Sequence, residues 1–241
     1  MKTSFKSILM YTLFVLTLFS GFSMAQDQPV YEFAPDRSQG GSGKFYLGRE
    51  ISQVMGHQGA DWLERPGRIQ EEQPDEVVAN MGLEPDHVVA DIGAGTGYFS
   101  FRMAKLVPDG KVMSVDIQPE MLALIEERKL EEAVTNIEGV RGQVDNPNLS
   151  PNSIDVALMV DAYHEFSHPY EMIKGIVDAL KPGGRIFLLE YRAEDASVPI
   201  RPLHKMTELQ AIREMSVFDL EWTETLDFLP WQHMMIFTKI E

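Results

Sequence analysis

The apolar positions change their spacing several times along the chain, and each change marks an element. From Pro85 onward, short apolar runs alternate with helical stripes. Residues 87–92 form a run around Val88 and Val89; a glycine loop follows, then Phe99, Met103 and Leu106 at the spacing of one helix face, stopped by Pro108-Asp109-Gly110. The alternation continues with a strand predicted over 111–117, and then Pro119 at the start of a helix carrying Leu122, Ile125 and Leu130. A weaker strand is predicted at 137–140. Ile154–Val160 is almost unbroken in its apolar character, as a strand buried on both faces requires. Pro169 opens a helix with Ile173, Ile176, Val177 and Leu180 on one stripe, and Lys181-Pro182-Gly183-Gly184 ends it before a strand over 185–190. Alternation of this kind predicts an α/β fold with a doubly wound sheet, whose ligand belongs at the carboxyl ends of the strands where their order reverses.

Upstream the pattern is different. Residues 45–82 are expected to form an N-terminal helical extension: Ile51, Val54 and Met55 share a helical face, and Pro74 begins a segment with Val77, Val78 and Met81 that Gly82 ends. Residues 26–44, with Ser38-Gln39-Gly40-Gly41-Ser42-Gly43 among them, are too poor in apolar side chains to offset the entropy of ordering and read as a flexible linker. The domain itself is expected over 83–241. At the other end of the chain, residues 1–25 carry Lys2 and Lys6 ahead of an apolar core at 8–19, followed by Ser23-Met24-Ala25, the small-x-small pattern of a cleaved secretory signal peptide. Cleavage predicts a periplasmic or secreted protein without a stable membrane span. The alternative is an uncleaved anchor, because residues 7–26 carry no charge and approach the roughly 20 positions a spanning helix needs.

Composition narrows the chemistry. The 241 residues hold 21 Lys and Arg against 37 Asp and Glu, a net charge of −16 that repels a phosphate backbone, and no run of basic residues reverses it. Nucleic acid is therefore not an expected partner. The absence of cysteine removes disulfides, thiolate zinc sites, iron–sulfur clusters and thiol nucleophiles together, so chemistry must come from oxygen, nitrogen or a borrowed reagent.

The glycine loop Asp91-Ile92-Gly93-Ala94-Gly95-Thr96-Gly97 follows a strand and opens a helix, a place where a ligand can approach the main chain. A dinucleotide loop needs G-x-G-x-x-G, whereas the third glycine here comes one position early and Tyr98 stands in its place. Asp91 would also repel a pyrophosphate and welcome a cation. The segment from Val88 to Gly97 resembles the first motif of the class I S-adenosylmethionine-dependent methyltransferases, and the later elements fall in that family's order. Asp116, at the end of the second strand, resembles the acid that grips both ribose hydroxyls, since one carboxylate offers two acceptor oxygens to two vicinal donors. Asp155 to Asp161 is similar to the fourth strand, and Leu180 to Gly184 with Ile186 to Leu189 to the turn into the fifth. The tail, with period-two or apolar runs at 222–226 and 234–240 joined by Pro230-Trp231, is similar to the family's final antiparallel hairpin, and residues 207–216 to the helix before it.

This resemblance implies a Rossmann-like fold with an antiparallel last strand and S-adenosylmethionine as cofactor. It implies contacts from Asp91, Gly93, Gly95, Gly97, Asp116, Ile117, Gln143, Val144, Asp161 and Tyr163. Where family members often carry an Asp facing the adenine, this chain has Gln143, with Asp145 nearby as the alternative. Methyl transfer from a sulfonium needs alignment and sometimes a base. His164 and Glu165, after the fourth strand, are the candidate catalytic groups, with walling of the cleft as the structural reading of His164 and solvent exposure that of Glu165. His57, Trp62 and Arg65 lie where a lid over the cleft would form; as structural residues, Trp62 anchors a core and Arg65 pairs with Glu64, Glu71 or Glu72. His164 with His168 and His57 lacks the spacing of a metal site on a helix or strand, so no metal ligands are assigned. The expected acceptor is a small molecule or a protein. The rival functions are an exported binding module without turnover and, less well matched by the glycine spacing, a nicotinamide-dependent oxidoreductase.

Overall fold

The computed structural model describes residues 31–240, and the expected signal peptide at 1–25 lies outside them. The central sheet runs in the order β10-β11-β8-β7-β4-β5-β6. Its strands are β4 (Val88–Ile92), β5 (Lys111–Asp116), β6 (Ile137–Arg141), β7 (Ile154–Val160), β8 (Leu180–Arg192), β10 (Leu220–Leu226) and β11 (Gln232–Lys239). Strands β6 to β8 pair in parallel, β11 and β10 pair antiparallel at one edge, and the short β9 (Lys205–Met206) adds to the end of β8. The chain winds outward from β4 through β5 to β6 and then crosses back to β7, so the order reverses between β4 and β7.

Two buried layers sandwich the sheet, and the period of two along each strand decides which layer a side chain enters. In β8, Phe187 and Leu189 join one layer while Ile186 and Leu188 join the other; in β11, Met234 and Ile236 face one side, Met235 and Phe237 the opposite one. Helices α3 (Pro74–Ala79), α4 (Ser100–Ala104) and α5 (Pro119–Glu132) cover the first layer with Val77, Val78, Phe101, Met103 and Ile125. Helices α6 (Pro169–Ala179) and α7 (Glu208–Met215) cover the second with Met172, Ile173, Ile176, Ala211 and Met215. Proline stands at the start of α3, α5 and α6, where its missing N–H costs nothing. The turn expected at 181–184 is a bulge inside β8, since Ile154 pairs with Leu180 and Val156 with Arg185. Among the described residues no helix is long and apolar enough to cross a membrane.

The N-terminal segment differs from expectation. Over its described part, the stretch expected as a linker is ordered: β1 (Tyr31–Phe33), β2 (Gly41–Tyr46) and β3 (Arg49–Ser52) form a separate antiparallel sheet. Polar contacts hold it, which is why a count of apolar residues missed it. The Glu50 carboxylate, 8% exposed, accepts the backbone N–H of Ser38 and of Gly43, and Tyr31 donates its hydroxyl to Glu171 at 2.5 Å. Helical structure begins only after this sheet, with α1 (Ala60–Leu63) and α2 (Arg68–Glu72). Ile51 is buried as a strand residue, not as part of a helical face, whereas Val54 is 45% exposed.

Candidate active site

The loop between β4 and α4 sits at the carboxyl end of the sheet, beside the point where the strand order reverses. Gly93 and Ala94 donate their N–H groups to the Val115 carbonyl at 2.8 and 3.0 Å, which fastens the loop to β5. Gly93 and Gly95 hold φ of 76° and 55°, the left-handed region that side chains rarely adopt. Space is also short. A Cβ on Gly93 would lie 2.7 Å from the Ala162 Cβ, and one on Gly95 2.6 Å from Leu63 Cδ1.

Beside this loop lies a cavity of about 670 Å³, within the range of small-molecule sites. Asp116 reaches it from the end of β5. Its Oδ2 accepts the Gly95 N–H at 2.9 Å and its Oδ1 the Gln118 N–H at 2.8 Å. Each carboxylate oxygen has a second lone pair, so two acceptor sites remain for a diol. Burial lifts the Asp116 carboxyl above its ordinary value, against the pull of those N–H groups. Asp161, after β7, also lines the cavity, with φ of 50°. Gln232 donates to its Oδ2 at 2.8 Å, while Oδ1 is buried without a hydrogen-bond partner among the described residues. Burial, and then the charges of Glu72 and Glu190, push the Asp161 carboxyl well above the usual range. A cation placed beside Asp161 would relieve both the burial and the repulsion from Glu72 and Glu190.

The N-terminal segment closes the other side. The buried Glu72 accepts Arg65 Nη2, Arg68 Nε and the Tyr191 hydroxyl at 2.7, 2.7 and 2.9 Å, and Arg65 also binds Glu71. Trp62 lines the cavity, half exposed, with the Arg65 guanidinium 3.8 Å from its ring centroid. It is a cavity wall and not the anchor of a core. Thr96 donates to Glu64 at 2.5 Å, and Gln118 Oε1 accepts the His57 N–H at 2.7 Å, so residues 57–64 are tied to the glycine loop and to the start of α5.

Past β7, a 3₁₀ turn, Tyr163–Glu165, brings polar groups to the cavity. His164 is 2% exposed, with Nδ1 2.6 Å from Glu190 Oε2 and Nε2 3.0 Å from His204 Nδ1. Glu165 Oε2 accepts the Met55 N–H at 3.0 Å. A carboxylate on Nδ1 makes that nitrogen the donor and leaves the Nε2 lone pair toward His204 and the cavity.

The expected residues divide into three groups. Gly93, Gly95, Asp116, Ile117, Gln143, Val144, Asp161, His164 and Glu165 line the cavity together; of the two adenine candidates, Gln143 is at the wall and Asp145 is not. Asp91 and Gly97 lie beneath the loop: Asp91 accepts the Ser100 hydroxyl at 2.5 Å, burial raises its carboxyl to about 6, and Gly97 packs on Phe101 and Ile125. Tyr163 is corrected outright. Its ring is fully buried in the core behind the turn and its hydroxyl donates to Glu214 at 2.7 Å, so it is not a wall of the cleft. The resemblance implied a cofactor contact there, but Glu214 and Arg49 hold the ring in the core.

Arg68, Glu72, Glu190, His204 and Gln232 were not foreseen. Two signals were present: the i,i+4 spacing of Arg68 and Glu72, and an acid, Glu190, ending the otherwise apolar run of β8 at the sheet's carboxyl edge. His204 sits in a segment without periodicity and gave no signal.

Residues 89–184 match the family model described as a methyltransferase domain. The ubiquinone/menaquinone biosynthesis C-methyltransferase UbiE of Ectopseudomonas mendocina is 30% identical over 112 residues, 46% of this chain and 44% of that protein. The chain thus spans less than half the length of the curated relatives it matches. Among solved structures, a SAM-dependent methyltransferase from Aquifex aeolicus superposes with a TM-score of 0.73 at 20% identity, covering 78% of this chain and all of the other. The [4+2]-cyclase SpnF superposes with a TM-score of 0.60 at 16% identity, covering 70% and 80%. These structural likenesses establish the fold, and the second shows why a fold name alone does not fix the reaction.

Proposed function

We propose that this chain, whose central part is a class I S-adenosylmethionine-dependent methyltransferase domain, transfers a methyl group to a small-molecule or protein acceptor outside the cytoplasm. The observation that carries the reading is the convergence of the Gly93–Gly95 loop, Asp116 and Asp161 on one cavity at the sheet's reversal point. The donor set suits S-adenosylmethionine: Asp116 keeps two acceptor sites for the ribose diol, and the partnerless Asp161 oxygen lies in a negative field that favours a cation. When bound, that cofactor supplies a methyl group on a positively charged sulfur. The protein's own part is to align it, to exclude water through Trp62 and Leu63, and to present His164 and Glu165 to the acceptor. His164 Nε2, held in its acceptor form by Glu190, is the group placed to take a proton.

Calorimetry with S-adenosylhomocysteine tests the cofactor half. Asp116→Ala should weaken binding by about 1.5–3 kcal/mol, roughly 10- to 150-fold, the scale of hydrogen bonds to a charged group. Unchanged affinity, or micromolar NAD binding with no response to either adenosyl ligand, rejects the reading. Incubating the protein with labelled S-adenosylmethionine and an envelope extract then identifies the fraction that takes the label; tight binding without transfer to any fraction favours the binding module. Export rests on residues 1–25 alone. Mass spectrometry of the native protein should find Gln26 at its N-terminus, and an intact Met1 in the soluble cytoplasmic fraction removes that half.

A further inference from the structure

We propose that His164, Glu165 and His204 form a binding site for one divalent transition-metal ion at the acceptor side of the cavity. The three donor atoms are His164 Nε2, His204 Nδ1 and Glu165 Oε1, separated pairwise by 3.0, 3.5 and 3.9 Å. A metal about 2.0–2.2 Å from each of three ligands places those ligands roughly 3.0–3.6 Å apart in tetrahedral or octahedral geometry, so small side-chain shifts close the set. The residues come from two segments 40 positions apart in sequence, and all three face the same cavity.

Two of the three ligands are oriented from behind. The buried Glu190 accepts from His164 Nδ1 and directs the Nε2 lone pair into the cluster, the carboxylate–histidine arrangement that supports metal-bound imidazoles. The Met55 N–H holds one oxygen of Glu165 and leaves the other toward the two imidazoles. Two nitrogens and one carboxylate oxygen suit zinc, cobalt or iron in the divalent state, whereas magnesium and calcium favour oxygen ligands. Three protein ligands leave at least one coordination position open, and all three residues line the cavity from which it can be filled. Resting on the methyltransfer reading, that position assigns the acceptor's chemistry: it presents an oxygen donor, a hydroxyl or carboxylate, to the metal.

The test uses tag-free full chain, stripped with a chelator and titrated with Co²⁺. One equivalent should bind with the visible bands of a four- or five-coordinate ion, and Zn²⁺ should displace it. His204→Ala, Glu165→Gln and His164→Asn should each abolish the bands, and Glu190→Gln should weaken binding by about 10- to 100-fold. His57→Ala, outside the cluster, should leave the Co²⁺ bands unchanged. Wild-type protein without bands overturns the site, as do bands that persist in both His204→Ala and Glu165→Gln, which would place the ion elsewhere. S-adenosylhomocysteine affinity of the metal-free protein is measured in parallel. Metal bands without adenosyl binding leave the metal site standing and reject the cofactor reading, and the reverse result does the opposite.

Discussion

Glu214→Ala is expected to lower the unfolding free energy by about 3–5 kcal/mol, the cost of stranding a buried charge. Glu214, fully buried on α7, accepts Arg49 Nε and Nη2 at 2.7 and 2.8 Å in a two-pronged pair, the Tyr163 hydroxyl at 2.7 Å and Gln210 Nε2 at 2.7 Å. Burial alone would depress the Arg49 guanidinium, yet the hydrogen bonds and charge of Glu214 carry it above its ordinary value. Without the carboxylate, Arg49 keeps its charge at 11% side-chain exposure, its remaining hydrogen bond the one it donates to the His164 carbonyl at 3.2 Å. Urea unfolding measures the loss. Arg49→Met with Glu214→Leu should recover most of it, because apolar groups of similar size leave no charge stranded. A loss below about 1 kcal/mol in Glu214→Ala would show that water reaches Arg49 and that the pair does not hold β3 to the domain.

That network marks the limit of what local pattern conveys. The middle of the central sheet was legible because β4, β7 and the later part of β8 are largely apolar runs, and burial on both faces is a local property of β7 and β8. The glycine loop and Asp116 were legible because their spacing along the chain is itself the geometry of the turn. The N-terminal sheet was not: Glu50, Tyr31 and Lys44 hold it through bonds to Ser38, Glu171 and the Ser167 carbonyl, and two of those partners are more than 100 residues away. Tyr163 failed for a related reason, since its direction depends on Arg49 and Glu214 more than on its neighbours. His204 joins His164 only because β9 returns the chain beside the end of β8. Partners chosen by folding leave no period to read.

The largest functional effect is expected at His164. In the fraction that takes labelled methyl, His164→Asn should lower the saturated rate by roughly 10²–10⁴-fold, about 2.7–5.4 kcal/mol of transition-state stabilisation, and leave donor affinity within about twofold. Asparagine is chosen over alanine because its amide can still donate to Glu190, which is fully buried and would otherwise lose the 2.6 Å contact that satisfies it. The substitution therefore removes Nε2 and little else. Nε2 faces the cavity whether it takes the proton itself or holds a metal that acidifies the acceptor, so the rate falls in both cases, and the Co²⁺ bands of the wild-type protein tell the two apart. The donor contacts at Asp116 and the Gly93–Gly95 loop come from β5 and the loop after β4, whereas His164 is held by Glu190 and His204, which is why affinity should survive. A variant that loses donor affinity while its saturated rate stays near that of the wild type would make His164 a wall of the cleft, its buried imidazole serving packing and not chemistry.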